Sequence, residues 1–459
     1  MPPADTGASV VIMRSGASTS SSLRPESRPS GSAASGSACD SDDTRLMPGG
    51  PGYRRMSFAL FAAGVATFAL LYSTQALLPA ISDDLGVTPG QASWTVSAAT
   101  GGLAVAVVPL SALSERYGRR TTMTAALCVA ALLALLVPFA PSLGWLTALR
   151  AVQGAALAGV PASAMAYLAE EVRPKALIGA IGLFVAGNSI GGMVGRILAG
   201  WVAQAWGWRA GLAAVGVLAV LCALTFRLMV PRARHFSAAP VSVRALGRTV
   251  GAHLSNPLLR RLYLIGGLFM TVFGAVYTVV GYRLAEHPFS LPPGVVGSIF
   301  LIYLVGTVSS AAAGKLVGRM GRRGALYLAV GTTTIGLLLT LTSSLTAVLA
   351  GLVLITAGFF AGHAVASSAV SRAAKTGRAQ ASALYQTAYY LGSSIGGTLG
   401  ALAFHAAGWD GTVLLGFLAM VGAVSVTLMG TRQALAARRS AAVAAVAAGG
   451  RGSAMAGRV

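Results

Sequence analysis

Ser111-Ala-Leu-Ser-Glu-Arg-Tyr-Gly-Arg-Arg120 is a short, charged, turn-forming stretch wedged between two apolar runs. A near copy, Gly314-Lys-Leu-Val-Gly-Arg-Met-Gly-Arg-Arg323, begins 203 residues later, counting from 111 to 314. Each flanking run is long enough to cross a bilayer as a helix, which takes about 20 apolar residues. A basic hairpin between spanning helices, repeated at half the chain length, implies a membrane bundle built by internal duplication.

The composition agrees. The 459 residues are 55% hydrophobic and 10% charged, with mean hydropathy +0.72, too apolar for a soluble domain. A net charge of +22 would suggest a nucleic-acid partner if the cations formed one patch. They do not: about 30 of the 34 Lys and Arg fall in alternate loops and the tails, two in the other loops (Arg209, Arg283) and two inside helices (Arg150, Arg196). This is the positive-inside pattern, so the bilayer is the partner and nucleic acid is not. It predicts a multi-pass protein of the cytoplasmic membrane with both termini in the cytoplasm. Cys39, Cys128 and Cys222, odd in number and without ligand spacing, predict neither a disulfide framework nor a metal site.

Residues 1–55 are rich in Ser, Gly and Pro and are expected to be disordered. Their one apolar cluster, Val10-Val-Ile-Met13, is too short for a cleavable signal, and Met47 or Met56 are alternative starts. Twelve apolar runs follow, at 57–80, 92–113, 121–140, 144–168, 176–202, 208–229, 260–283, 294–316, 324–342, 345–370, 380–404 and 410–430. The expected organisation is a bundle of six helices (56–229), a cytoplasmic linker (230–259), a second bundle of six (260–431) and a tail (432–459), disordered or a short surface helix. The duplication recurs away from the hairpin. Gly187-Asn-Ser-Ile-Gly-Gly-Met-Val-Gly195 is echoed by Gly392-Ser-Ser-Ile-Gly-Gly-Thr-Leu-Gly400, and Gly154 by Gly358.

Taken together, the helix count, the duplication and the hairpin resemble the major facilitator superfamily over roughly residues 57–431. The resemblance implies an all-α membrane fold of twelve transmembrane helices, two six-helix bundles related by a pseudo-two-fold axis, monomeric and working by alternating access. The family signature is Gly-x-Leu-x-Asp-Arg-x-Gly-Arg-Arg. Leu113, Arg116, Gly118, Arg119 and Arg120 match it, Glu115 stands for the Asp and Ser111 for the first Gly. In the copy (Gly314, Gly318, Arg319, Gly321, Arg322, Arg323) Gly318 replaces the acid. A carboxylate there can sit against the positive N-terminus of a neighbouring helix. In the family that neighbour is helix eleven, starting here near Ala379, and acids ending helix four, here Glu170 and Glu171, face Arg116 or Arg119.

Arg150 in Leu149-Arg-Ala-Val-Gln-Gly154 is a charge within a span and so a functional candidate, unless it snorkels to the interface. With Gln153 and Gly154 it resembles the family's helix-four motif, whose Arg faces the central cavity in coupling. Gly187, Gly191 and Gly195 form a stripe without side chains that admits another helix, as do Gly392, Gly396 and Gly400. With Gly192 and Gly397 these stretches resemble an antiporter signature, here without its Pro. Gly187-Asn-Ser-Ile-Gly191 also fits a hydrolase nucleophile elbow, but that needs a strand-turn-helix context. No enzyme is expected.

All twelve acids lie outside the spans or at their ends, so no mid-membrane carboxylate neutralises Arg150 or Arg196. The cavity should therefore suit neutral or anionic compounds and disfavour organic cations. His363, in Phe359-Phe-Ala-Gly-His363, is the remaining titratable group at depth, either a packing residue or a proton carrier. Its surroundings resemble bacterial arabinose and drug efflux permeases, and Leu78-Pro79 with Asp83-Asp84-Leu85 resembles the drug:proton antiporter branch. Tyr72, Gln75, Asn188, Tyr277, Gln386 and Tyr389 are candidates to line a midplane cavity. Asp83 and Asp84 read as outer-loop charges. The resulting expectation is a secondary transporter exporting small molecules against protons, with the proton gradient as energy source and no cofactor. An uptake symporter or facilitator, and a sensor or assembly subunit of the same fold, are the alternatives.

Overall fold

A computed structural model describes residues 45–456, apart from 237, 239–242 and 375. Among these residues nine helical runs are long and apolar enough to cross a membrane. Four are α1 (Pro51–Leu85), α2 (Pro89–Tyr117), α3 (Arg119–Phe139) and α4 (Leu143–Glu171). Three others are interrupted, at Gly207, at Gly321 and at Ala407–Gly408, where the backbone leaves helical dihedrals. These become α5 (174–206) and α6 (208–229), α8 (293–320) and α9 (322–339), and α11 (378–406) and α12 (409–433). Between them run α7 (Pro257–Ala285) and α10 (Leu345–Ala373). Twelve spanning segments result, at the positions read from the sequence.

The duplication is written in the turns. Gly118 (φ 93°, ψ 142°) separates α2 from α3, and Gly321 (φ 72°, ψ 168°), 203 positions on (118 to 321), separates α8 from α9. Both backbones lie in a region open essentially to glycine alone. Alanine at either position is expected to cost about 1–3 kcal/mol and to lower the thermal unfolding midpoint of the purified protein. Gly314→Ala, in open space on a regular helix, is expected to leave that midpoint unchanged or raise it.

Several terminal choices follow simple chemistry. Thr88 caps α2 in a reciprocal box with Gln91, and Asn256 caps α7 through Leu258 N and Leu259 N. Pro stands at the first turn of α1, α2, α5, α7 and α8, where its missing N–H is not needed.

The chain differs from expectation in four places. Of the residues expected to be disordered, 51–55 are helical and 1–44 lie outside the described residues. The linker contains a helix, Val243–Ser255. The last helix runs on to Ala456, through most of the expected tail. And α1 is not continuous: regular helix stops at Leu71, a 3-10 turn covers Gln75–Leu77, and helix resumes at Leu78 to end at Gly86. Pro79, without an N–H, cannot bond back to the Gln75 carbonyl, which places the break one turn before it.

The glycine stripes set the closest helix pairs. Gly187, Gly191 and Gly195 pack α5 on the backbone of α1, and Gly392, Gly396 and Gly400 pack α11 on α7. A Cβ at Gly191 would lie 2.3 Å from the Val65 oxygen, and one at Gly396 2.2 Å from that of Thr271. Hydrogen bonds between the two halves cluster away from the Gly118 and Gly321 hairpins. Ser97 and Ser394 exchange bonds of 2.9 and 2.8 Å, the Tyr282 hydroxyl donates to the Leu78 carbonyl (3.0 Å), and Gly294 N donates to Gln204 (3.0 Å). Among the described residues no hydrogen bond or ion pair joins the two halves at the hairpin end.

Candidate functional site

Arg196 lies on α5 with 2% of its surface exposed. Its Nε donates to Gln75 Oε1 (2.8 Å) and its Nη1 to the Gly192 carbonyl. Gln75 in turn donates to Thr278 of α7 (3.4 Å), so the α1 break presents a side chain that ties both halves. Three rings surround the guanidinium carbon: Tyr72 at 4.6 Å, Phe300 at 4.6 Å and Tyr303 at 5.1 Å. Tyr72 belongs to the first half, Phe300 and Tyr303 to the second. Each desolvated contact of this kind contributes about 0.5–2 kcal/mol, and the carboxylates of the described residues all lie at helix ends or in loops, none beside Arg196. The rings are the compensation for a buried cation.

An aromatic relay leads from this group to His363. The Tyr277 ring lies 5.1 Å from that of Tyr303, and Phe273 links it to Phe359 at 4.6 and 4.0 Å. The Tyr389 ring lies 4.8 Å from that of His363, and the Tyr385 hydroxyl is 3.0 Å from His363 Nδ1. The Phe359 ring lies 6.0 Å from the imidazole and 6.1 Å from the Tyr389 ring. Tyr277 is held by Thr356 (2.6 Å). The structure thus brings Tyr72, Gln75, Arg196, Tyr277, His363 and Tyr389 into one neighbourhood, beside Gly192 and Gly397. Gly397 faces Thr278 and Ser97.

Arg150 is placed elsewhere. It is fully buried, and its donors go to the carbonyls of Thr95 (Nε, 3.1 Å), Leu70 (Nη1, 2.7 Å) and Leu71 (Nη2, 2.5 Å) and to Gln153 Oε1 (Nη1, 2.5 Å). Leu70 and Leu71 are the last residues before the α1 break, whose carbonyls lose helical partners. Rather than facing a cavity or snorkelling, Arg150 caps the broken end of α1. Gln153 continues the network to the Ala130 carbonyl (3.0 Å), and Gly154 lets α4 touch α2 at Ala99.

At the hairpin end Arg119 bonds Glu170 (3.1 Å) and Ser114 (2.8 Å), the pairing read from the sequence. Glu171 does not join it. Its carboxylate takes the backbone N–H groups of Arg234 (2.7 Å) and His235 (2.8 Å) in the linker, and Leu46 N donates to its carbonyl (2.8 Å). Glu115 is half-buried and makes no hydrogen bond or ion pair with a described residue, so the expected contact with the start of α11 is not formed in this state. In the second hairpin Gly314 and Gly318 face open space, and Arg323 donates to the Gly430 carbonyl (3.4 Å). Asp84 is more than a loop charge: it binds Trp208 Nε1 (3.1 Å) and Arg209 (2.6 Å), fixing the end of α1 to the start of α6.

Asn188 and Gln386 are on α5 and α11, and each keeps a buried, unpartnered carbonyl oxygen. The Gly187–Gly191 stretch is mid-helix, which removes the strand-turn-helix context a nucleophile elbow needs. No cluster of metal-ligating side chains occurs among the described residues. Two concavities, of 510 Å³ beside the linker helix at Arg248 and His253 and 390 Å³ at Trp94, Ser97 and Ser394, include neither Arg196 nor His363. The sequence reading missed Phe300, Tyr303 and Thr278. Aromatic residues in an apolar run read as packing, and only the i, i+3 spacing of Phe300 and Tyr303 hints at a shared face.

Comparison with known proteins agrees with the fold. The family profile described as Major Facilitator Superfamily matches residues 56–397. The uncharacterized MFS-type transporter YybF of Bacillus subtilis (strain 168) is 38% identical over 82% of this chain and 94% of its own. The inner membrane transport protein YnfM of Escherichia coli (strain K12) is 40% identical over 84% and 92%. In fold, the chain is similar to a bacterial homologue of the human lysosomal transporter Spinster, in an inward-facing and occupied conformation. The TM-score is 0.68 at 15% identity, covering 83% of this chain and 97% of that one.

Proposed function

Because this chain belongs to the Major Facilitator Superfamily, we propose that it is a secondary transporter that exports neutral or anionic small molecules in exchange for protons. The observation that carries the charge preference is Arg196, a buried cation held by rings and amides, while the carboxylates of the described spans lie only at helix ends. A cationic substrate entering this neighbourhood would meet an unneutralised like charge at low dielectric. His363 is the proton carrier in this reading, and the hairpin end is its cytoplasmic side. Inter-half bonds among the described residues reach no nearer the hairpins than Thr387 to the Ala104 carbonyl (3.2 Å), which supports a state open to the cytoplasm with the opposite side latched through Ser97, Ser394 and Tyr282.

The test is a set of proteoliposomes under an imposed pH gradient, scanned with anionic, neutral and cationic solutes. Proton movement is expected with the first two classes and not with ethidium-type cations. Proton-driven extrusion of such a cation, abolished by changing Arg196, would sink the charge preference. His363→Gln is expected to reduce solute-coupled proton flux at least tenfold while leaving solute–solute exchange in place. Full proton coupling in that variant would return His363 to a packing role.

A further inference from the structure

We propose that the Arg196 cage seats the carboxylate of an organic monoanion, gripped by Nη2 of the guanidinium and by the hydroxyls of Tyr72 and Tyr303. This rests on the transport reading above and narrows its substrate class.

Three donors of the cage are left uncommitted by well-formed bonds. Nε and Nη1 of Arg196 are committed to Gln75 and Gly192, and Nη2 has no hydrogen-bond partner among the described residues. The Tyr303 hydroxyl is buried with no partner, and that of Tyr72 is buried with only the Ser393 side chain in range and no well-formed bond to it, on residues 7% and 5% exposed. Their rings lie 4.6 and 5.1 Å from the same guanidinium carbon. Buried donors left unpaired are costly, and each calls for an acceptor. The described residues supply no carboxylate here, so the acceptor comes from outside them.

The shape of the site selects the head group. The faces of the guanidinium are covered by rings, which leaves an edge, and an edge pairs best with a planar group bearing two oxygens. Gln75 fixes the orientation of that edge, because its oxygen accepts from Nε while its nitrogen is anchored on Thr278. An amide of the same shape would set its own N–H groups against three donors. An amine would add repulsion. Tyr72 stands on α1 and Tyr303 on α8, so a carboxylate touching both hydroxyls bridges the two halves at this level.

Benzoate, benzamide and benzylamine share a ring and differ in head group. Titrated calorimetrically against the purified full-length protein in zwitterionic nanodiscs without a proton gradient, benzoate is expected to bind at least tenfold tighter than benzamide, and benzylamine not to bind. Tyr303→Phe keeps the ring and is expected to weaken benzoate threefold to tenfold with benzamide unchanged. Arg196→Gln should erase the preference, and Tyr303→Phe carries the test if that variant does not fold. Equal affinity for benzoate and benzamide, no benzoate binding, or an unchanged preference in Tyr303→Phe would each overturn the proposal. Benzoate bound by a protein that moves no solute would sink the transport reading and leave this one standing.

Discussion

Arg150→Met is expected to remove folded protein from the membrane, with transport lost only as a consequence. Methionine fills the volume but donates nothing, so the Leu71 carbonyl freed by the α1 break and the Gln153 oxygen lose their donor. Each buried acceptor left bare costs about 1–3 kcal/mol, and four bonds to α1, α2 and α4 go together. A domain has only about 5–15 kcal/mol of net stability. Arg150→Lys, a point charge in place of a planar fork, should be intermediate. The check is the yield and unfolding midpoint of detergent-purified protein by size-exclusion chromatography and thermal melt. A well-folded Arg150→Met protein that fails to couple solute to protons would reverse this, and make Arg150 a coupling residue.

The second large effect is expected at the paired glycine stripes. Gly191→Leu and Gly396→Leu put a Cβ at 2.3 and 2.2 Å from backbone oxygens of Val65 and Thr271, closer than atoms can approach. Neither carbonyl can move without shifting its helix, so α1 must part from α5, or α7 from α11. Overpacking that side chains can absorb costs about 1–3 kcal/mol; displacement of a spanning helix exceeds it. Both variants should accumulate less than a tenth of the folded protein, judged by the same chromatography. Gly331→Leu, with nothing within 4 Å of its Cβ, is the control and should accumulate normally. Normal folding of Gly191→Leu would show that the stripe is not a packing seam.

Much of the fold was legible because membrane helices obey few rules. Length, apolarity and the repeated hairpin place the segments, and the ends, the linker helix and the α1 break escape. That break hid the role of Arg150. Sequence shows a cation inside a span, but not that the Leu71 carbonyl of another helix has been released beside it. The Arg119–Glu170 pair could be anticipated from end-of-helix position, whereas the partner of Glu171 could not, since linker amides leave no pattern in side-chain chemistry. At the site the polar members, Tyr72, Gln75, Arg196 and His363, stood out against an apolar background. Phe300 and Tyr303 did not, because an aromatic residue facing a guanidinium and one facing lipid look alike in a string of letters.

The hairpin at Gly321 carries Arg319, Arg322 and Arg323, and the acids of the second half, Glu286 and Asp410, belong to the opposite end of the bundle. In the first half, Glu170 answers Arg119 internally. Among the described residues no carboxylate pairs with the second hairpin, which leaves its cations open to dissolved salt and to the phosphates of the adjoining leaflet. Ionic strength and lipid composition therefore act on one half of the molecule more than on the other, and a bundle symmetric in its backbone becomes lopsided in its surroundings.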